Sequence, residues 1–276
     1  MKIIGVHDHV AGDLVAAVTG DRARVLGTKE DFWADPSRCL GAGLDTCGPW
    51  QPLRALTEIP VVPMSARVLC VGLNYRAHAS EGGFVVPQQP TLFGRFTASL
   101  SVAGVAAPIP ANEPGLDWEG EIAAYVGARL VDADAETARR AVLGYSTFLD
   151  LTARTAQKLS SQWTLGKNGD RSGPLGPLVT ADEVGDLRDG LRLQTRVNGI
   201  TVQDANTQDM IFEVGELLSL ISRTLTLHPG DVIATGTPEG VGYVRNPPWF
   251  LVDGDVVEVE VDKLGVLRTP IGGTRP

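Results

Sequence analysis

The chain has 276 residues, 43% hydrophobic and 21% charged, which excludes a disordered or low-complexity protein. Its 33 acidic and 24 basic residues give a net charge of −9, which argues against nucleic acid or an anionic membrane as the main partner. The sequence contains no run of 18 apolar residues and its start lacks the apolar core of a signal peptide. We therefore expect a cytoplasmic protein without a transmembrane helix.

The first half of the chain predicts short strands separated by turns. Residues 1–60 read as strands and turns, and three prolines then mark a linker. The run VLCVGLN after Arg67 is typical of a buried strand. Asn74 is expected to cap a helix over residues 75–81, and the Gly- and Pro-rich loop after Glu81 is expected to act as a flap.

The second half predicts two helices among further strands. Residues 136–142 form a short candidate, and residues 207–223 carry the clearest apolar stripe. The tail alternates, with Val257, Val259 and Val261 on one face, and then turns at residues 263–265. Many short strands with long connections predict a β-rich α+β fold, divided into a small N-terminal domain (1–62) and a catalytic domain (63–276). No P-loop or strand–GxGxxG–helix unit supports a nucleotide site.

Three acidic residues form the most informative pattern. If LDWEGEIAAYVG is a strand, Glu119 and Glu121 point the same way, roughly 7 Å apart. Asp150 closes the apolar run 142–149, so it lies at the end of another buried strand. Three convergent carboxylates suit Mg²⁺, Mn²⁺ or Ca²⁺, whereas zinc favours His or Cys. The alternative is that both glutamates lie on a solvated strand face.

A histidine and a carboxylate form a second pattern. His78 and Glu81 are three residues apart, so on a helical turn they share a face and can hydrogen-bond. An imidazole oriented by a carboxylate is a common general base. The alternative is an ordinary surface pair on a short helix.

Further polar groups come after Asp150 in the sequence. A helix after the strand would place Arg154 and Gln157 along one edge with Asp150. Lys167 lies in the glycine-rich segment LGKNGD, where the backbone can approach a ligand. The turn TGTP at 235–238 offers hydroxyl and N–H groups for a carboxylate or an oxyanion.

Taken together, these segments resemble the fumarylacetoacetate hydrolase family from about residue 67 to the C-terminus. The motifs, in order, are VGLNYRAHASE, P-x-x-F at 90–93, LDWEGEIAAYVG, GYSTFLDLTAR with Gln157, GKNGD, PLGP, VNG and PGDVIATGTPEGVG. The resemblance implies a mixed β-sandwich roll, a homodimer and a bound divalent metal, usually Mg²⁺. The site residues that it implies are His78, Glu81 and Lys167 for catalysis, Arg154, Gln157, Thr237 and Arg95 for substrate, and Glu119, Glu121 and Asp150 for the metal.

Three positions depart from the family pattern: Leu149 replaces the usual Asn, Thr155 the usual Asp and Arg95 a common Lys. The metal ligands and the His–Glu pair are intact, so the departures bear on substrate choice rather than on the chemistry.

The resemblance implies a small-molecule oxo-acid substrate and chemistry through an enolate. The leading hypothesis is a Mg²⁺-dependent hydrolase of a C–C bond in a 2,4-dioxo acid or acylpyruvate, with water activated by the His–Glu pair. The alternative is a lyase or isomerase that acts on a related 2-oxo acid through the same metal site, such as an oxaloacetate decarboxylase or an enol isomerase. A third reading is a catalytically silent metal-binding scaffold.

Overall fold

The computed structural model describes residues 1–41, 44, 47–83 and 85–275, and within them strands dominate over helices. The strands are β1 (Lys2–Asp8), β2 (Gly12–Thr19), β3 (Arg22–Thr28), β4 (Gln51–Pro52), β5 (Thr57–Ile59), β6 (Val68–Gly72), β7 (Thr91–Arg95), β8 (Leu100–Val102), β9 (Gly120–Val126), β10 (Val142–Leu149), β11 (Gly173–Leu175), β12 (Leu178–Thr180), β13 (Arg192–Val197), β14 (Ile200–Asn206), β15 (Val232–Ala234), β16 (Val256–Val261) and β17 (Gly265–Pro270). The helices are α1 (Lys29–Ala34), α2 (Pro36–Leu40), α3 (Arg76–Glu81), α4 (Ala135–Arg140), α5 (Arg154–Gln157), α6 (Thr164–Lys167), α7 (Ala181–Val184) and α8 (Val214–Ser222). The predicted α+β, mostly β fold class is confirmed.

A large mixed sheet carries the central strands in the order β4-β3-β2-β1-β12-β10-β9-β15-β6-β7. Every residue of β9 is buried, as expected for a strand covered on both faces. β9 runs antiparallel to β10 and β15, and β15 runs parallel to β6. The ends of β6, β10 and β15 and the start of β9 therefore meet at one edge of the sheet, which is where the polar motifs lie.

A second, four-stranded sheet of order β14-β13-β16-β17 packs on the first. Ile122 and Leu149 of the large sheet belong to the same buried core as Leu193 and Val259 of the small one. The alternating tail is confirmed: Val257, Val259 and Val261 are all buried, and β16 turns directly into β17. Two packed sheets of this kind form the β-sandwich roll that the resemblance implies.

The N-terminal strands continue the large sheet. β1 pairs with β12 through Lys2 opposite Val179 and Ile3 opposite Leu178. Trp33 of α1 stacks on Tyr125 of β9 with ring centroids 6.3 Å apart. The chain before residue 63 thus shares both a sheet and a core with the C-terminal part of the chain, and the division at residue 62 stays a prediction.

The expected cap at Asn74 is wrong. Helix α3 begins at Arg76, with Tyr75 at the N-cap position and no side-chain cap. The Asn74 amide instead donates to the carbonyls of Thr235 (2.7 Å) and Phe212 (3.1 Å), and its oxygen accepts from the N–H of Phe212 (2.8 Å). These tertiary partners hold the side chain, so it ties the segment after β6 to the end of β15.

The expected helix over residues 207–223 is wrong in its first half. Thr207–Asp209 form a single 3₁₀ turn, and α8 begins only at Val214, behind a capping box made by Glu213 and Glu216. The intervening backbone pairs elsewhere, because the N–H of Ile211 donates to the carbonyl of Asn74 at 2.7 Å. A tertiary hydrogen bond therefore takes the place of a helical one.

The loop expected to act as a flap contains Phe84, which lies outside the described residues, and its movement stays a prediction. The longest helix that the structure describes, α8, has nine residues, and none has the length and apolar content of a membrane span.

Candidate active site

Three buried carboxylates converge where β9 begins and β10 ends. Glu119 precedes β9, Glu121 lies within it, and Asp150 comes directly after β10. The N–H of Asp150 donates to the carbonyl of Glu119 at 2.9 Å, which continues the β9–β10 ladder and fixes the register. One ligand oxygen from each residue lies within 4.8 Å of the others. The three residues are between 0 and 7% exposed, so the alternative of a solvated strand face is wrong.

Cationic side chains neutralise the negative charge of the three carboxylates unevenly. Lys167 Nζ donates to Glu119 Oε2 (2.5 Å) and to Asp150 Oδ2 (2.7 Å), and Arg154 Nη2 donates to Glu119 Oε1 (2.7 Å). Arg95 donates to the other oxygen of Asp150. Glu121, by contrast, accepts only the backbone N–H of Gly236, at 2.9 Å, among the residues that the structure describes.

The uneven pairing separates the two glutamates electrostatically. Burial opposes the ionisation of Glu119, but Lys167 and Arg154 outweigh it and hold the pKa of that carboxyl at about 2. For Glu121, burial and then the charges of Asp150 and Glu119 raise the pKa well above its usual range. Among the described residues, Glu121 is therefore the carboxylate of the cluster that has no cationic side chain bonded to it.

The donor set fits a hard divalent cation. It consists of carboxylate oxygens from three residues, without His or Cys among the three. Such sets suit Mg²⁺, Mn²⁺ and Ca²⁺. A cation that touches Glu121 would also supply the counter-charge that this side chain lacks. Glu119, Glu121 and Asp150 are thus able to hold the metal that the sequence predicts.

A histidine lies at the cavity that Glu119 and Glu121 of the acidic cluster line. His78 lies on α3, is 9% exposed, and its Nδ1 is 3.3 Å from Glu81 Oε2. The carboxylate of Glu81 accepts the N–H of Gly240 at 3.0 and 3.1 Å through its two oxygens. Since Glu81 is anchored, the imidazole ring has a defined orientation.

The cavity has a volume of about 370 Å³ and contains most of the predicted site residues. Its walls are formed by Val71, Gly72, Leu73, His78, Thr91, Phe93, Glu119, Glu121, Arg154, Gln157, Lys158, Ser160, Trp163, Lys167, Thr237 and Tyr243. Glu81 and Asp150 lie behind this wall, bonded to His78 and Lys167 respectively.

Arg95 and Thr237, expected to bind substrate, already have protein partners. Arg95 is not part of the cavity wall; besides Asp150 it donates to the hydroxyls of Ser99 (3.1 Å) and Ser172 (2.7 Å). This placement suits the positioning of Asp150. Thr237 lines the cavity, and its hydroxyl donates to the carbonyl of Gly120 at 2.9 Å.

The expected alignment of Asp150 with Arg154 and Gln157 on one helix is wrong, because α5 begins only at Arg154. Arg154 bonds Glu119 and Gln157 instead, the latter at 2.9 Å. Of the other departures from the family pattern, Leu149 is buried in the core and Thr155 is exposed, and neither lines the cavity.

Asp117 is a site residue that the sequence analysis missed. It is fully buried and accepts from Arg154 Nε (2.8 Å), the N–H of Gly242 (2.6 Å) and the N–H of Tyr243 (3.1 Å). Burial raises its pKa, and Arg154 acts against this. The signal was present in the sequence: Asp117 continues the alternation of Glu119 and Glu121 by one more step.

The family model for the C-terminal region of fumarylacetoacetate hydrolase matches residues 67–272. The chain belongs to the fumarylacetoacetate hydrolase family. This confirms the resemblance, and the matched region contains every residue of the candidate site.

Two curated relatives of the chain are described as oxaloacetate tautomerases. The chain is 41% identical over 208 residues to a mitochondrial oxaloacetate tautomerase, fahd2, of Xenopus laevis, covering 74% of this chain and 65% of that protein. It is 36% identical over 272 residues to the mitochondrial oxaloacetate tautomerase Fahd2a of Rattus norvegicus, covering 96% of this chain and 85% of that protein. Since both relatives are described as mitochondrial, the cytoplasmic location expected for this family member stays a prediction.

Two solved structures of the family share the fold. A 5-carboxymethyl-2-hydroxymuconate delta-isomerase from Mycobacterium smegmatis has a TM-score of 0.79 at 30% identity and covers 100% of both chains. A fumarylpyruvate hydrolase from Pseudomonas aeruginosa, in complex with Mn²⁺ and pyruvate, has a TM-score of 0.69 at 32% identity, covering 79% of this chain and 92% of that one. The family therefore includes both isomerases and hydrolases.

Proposed function

We propose that this protein is a divalent-cation-dependent enzyme that interconverts the keto and enol forms of a 2-oxo acid of the oxaloacetate type. The leading sequence-based hypothesis was C–C hydrolysis, and the alternative was a lyase or isomerase on the same site. Relatives described as oxaloacetate tautomerases, 36–41% identical to the chain, favour the alternative. A solved isomerase that aligns over the whole chain favours it too.

One observation carries the proposal: an oriented imidazole and a carboxylate cluster suited to a divalent cation lie at the same cavity. His78, Glu119 and Glu121 are all part of its wall. Keto–enol interconversion needs a base that removes a proton from the carbon next to the carbonyl, and a positive charge close to the carbonyl oxygen. An imidazole and a candidate cation site in one cavity support the proposal that both requirements are supplied there.

His78 acts as the base in this proposal. Glu81 accepts from Nδ1, which makes Nε2 the proton acceptor, and Nε2 has no partner among the described residues. Nε2 takes a proton from C3 of the 2-oxo acid, so the C3–H bond breaks and its electron pair moves through C2 to the carbonyl oxygen. The imidazolium then returns the proton to that oxygen, which gives the enol and restores neutral His78.

Cationic side chains stabilise the charge that develops on the oxygen. Burial lowers the pKa of Lys167, but Asp150 and Glu119 outweigh burial and raise it, so Lys167 remains an ammonium. Arg154 is fixed by Asp117 and Glu119 and keeps its charge at the cavity wall. A cation held by Glu119, Glu121 and Asp150 would supply Lewis-acid polarisation of the 2-oxo group.

The test measures the enol absorbance of oxaloacetate over time, corrected for the enzyme-free rate, with Mg²⁺ and with EDTA. We expect EDTA to remove the activity and His78→Gln to lower kcat by roughly 10²-fold or more, the contribution of a positioned base. His9→Gln is the matched control, because His9 is exposed and outside the cavity. Full activity of His78→Gln with intact metal binding would exclude His78 as the base.

Hydrolysis is a second candidate, favoured by the Mn²⁺- and pyruvate-bound fumarylpyruvate hydrolase at 32% identity. The same His78 would then deprotonate a water that attacks the distal carbonyl of an acylpyruvate. Release of two carboxylic acids from an acylpyruvate would support it. Release of CO₂ from oxaloacetate would indicate decarboxylation instead, which needs no base and should survive in His78→Gln.

A further inference from the structure

One cation in the cavity wall is not committed to a protein carboxylate. Arg154 bonds Asp117 and Glu119, and Lys167 bonds Glu119 and Asp150. Lys158 lines the same cavity, and its side chain makes no ion pair or hydrogen bond with any part of the chain that the structure describes. Its charge is therefore available to a ligand.

We propose that Lys158 binds a second carboxylate of the substrate and makes the enzyme selective for 2-oxo dicarboxylates. This inference rests on the proposed function, in which the 2-oxo end of the substrate lies against the acidic cluster. Lys158 then determines specificity by contact with the opposite end.

The backbone that carries Lys158 is held in place. Lys158 comes directly after α5, and its N–H donates to the carbonyl of Arg154 at 3.2 Å. At the start of α5 the carboxylate of Glu113 accepts the N–H groups of Thr155 (3.0 Å) and Ala156 (2.7 Å). Both ends of this helical turn are thus fixed, so Lys158 projects from a defined point.

The ammonium group is also drawn towards the cavity. Lys158 Nζ lies 4.9 Å from the centroid of the Tyr243 ring, and Arg154 Cζ lies 4.3 Å from the same centroid. An aromatic face attracts a cation at this distance. The shared ring keeps Lys158 near Arg154, which in turn touches Glu119 of the acidic cluster.

A neighbouring amide completes a carboxylate site. The side-chain oxygen of Gln157 accepts from Arg154 at 2.9 Å, so its amide nitrogen remains a donor at the cavity wall. A carboxylate between Lys158 and Gln157 would accept one charge-assisted and one neutral hydrogen bond. A 2-oxo monocarboxylate has no group to offer these two donors.

The experiment compares oxaloacetate with 2-oxobutanoate, by measuring exchange of the C3 protons for deuterium in the presence of Mg²⁺. We expect Lys158→Met to raise the KM for oxaloacetate about tenfold, as loss of one charge-assisted hydrogen bond requires, with kcat unchanged. The KM and kcat for 2-oxobutanoate should be the same in Lys158→Met as in the wild type. Lys158→Arg keeps the positive charge and should keep the low KM for oxaloacetate. Lys2→Met, at an exposed lysine of β1, is the control.

A binding measurement keeps the inference testable without turnover. In calorimetric titrations with Mg²⁺ present, the wild type should bind malate more tightly than 2-hydroxybutanoate, and Lys158→Met should remove most of that preference. An unchanged preference for the diacid in Lys158→Met, or equal losses for both acids, would overturn the inference. Failure of the proposed function has a different signature, since the wild type would then exchange the protons of neither acid.

Discussion

At the scale of single residues, Glu119 and Glu121 are two positions apart and face the same way, yet they have opposite electrostatic roles. Glu119 binds Lys167 and Arg154, whereas Glu121 accepts only a backbone N–H within the described chain. Removing one partner of a buried ion pair is costly, because the other charge is left buried and uncompensated. Removing a buried charge that has no cationic partner has the reverse effect.

We therefore predict that the two amide variants change stability in opposite directions. In EDTA, Glu121→Gln should raise the melting temperature, because it removes a carboxyl whose pKa is raised by burial and whose charge is costly to bury. Glu119→Gln should lower it, because Lys167 and Arg154 each lose one of their two carboxylate partners. Both should reduce the rise in melting temperature that Mg²⁺ produces in the wild type. Thermal unfolding with and without Mg²⁺ measures this, with exposed Glu30→Gln as the control. A destabilised Glu121→Gln in EDTA would contradict the charge assignment.

The sequence predicted residues whose position is set by a local period, and missed those whose role comes from tertiary partners. Alternation along one strand placed Glu119 and Glu121 together, and the end of an apolar run placed Asp150 beside them. Asn74 was assigned to a helix cap, because its bonds to Thr235 and Phe212 join segments far apart in the chain. The sequence could not show that Lys158 has no carboxylate partner among the described residues, because this depends on which side chains the fold places around it.

At the scale of elements, strand β9 lies so close to the second sheet that only glycine fits at one position. A Cβ at Gly120 would meet the Thr195 hydroxyl of β13 at 2.1 Å and the Gln203 side chain of β14 at 3.2 Å. This close approach lets Gln203 accept the N–H of Gly120 at 2.9 Å. The contact fixes the strand between the two glutamates of the acidic cluster.

We predict that Gly120→Ala lowers the free energy of unfolding by about 1–3 kcal/mol, the usual cost of overpacking a core. Gly94→Ala, in β7, is the matched control, because a Cβ there meets nothing within 4 Å; it should change stability by less than about 1 kcal/mol. Urea denaturation compares the two. Equal stability of both variants would show that β9 can move away from the second sheet.

Strand β16 was easier to predict from the sequence than the helix expected over residues 207–223. Alternation in the tail indicates two faces, one buried and one partly exposed, and β16 has that pattern. The apolar stripe of 207–223 correctly marked α8 but could not reveal that Ile211 pairs with Asn74. A periodic pattern predicts burial, whereas the start of a helix depends on competing hydrogen bonds.

At the scale of the whole molecule, the N-terminal segment is part of the large sheet. β1 covers the edge of β12, and Phe32 and Trp33 of α1 join the core that contains Tyr125 of β9. The homodimer that the resemblance implies stays a prediction, which size-exclusion chromatography with light scattering can test.

We predict that a chain starting at residue 63 loses cooperative unfolding, because it exposes the edge of β12 and the core residues that α1 covers. Circular dichroism during thermal unfolding, beside the full chain, is the measurement. A truncated chain that unfolds cooperatively at the full-length melting temperature would support the independent N-terminal domain that the sequence predicts.

The pairing of β1 with β12 also sets an order of events during synthesis. The hairpin of β1 and β2 is synthesised before β12, so Lys2 and Ile3 cannot pair with Val179 and Leu178 until about residue 180 has emerged. β5 covers Gly5–His7 on the same side of β1 earlier, but Lys2 and Ile3 lack their partners there until β12 emerges. An open strand edge of this kind is a site for misassociation. We expect this protein to complete its central sheet late in translation and to depend on chaperones that shield that edge in the meantime.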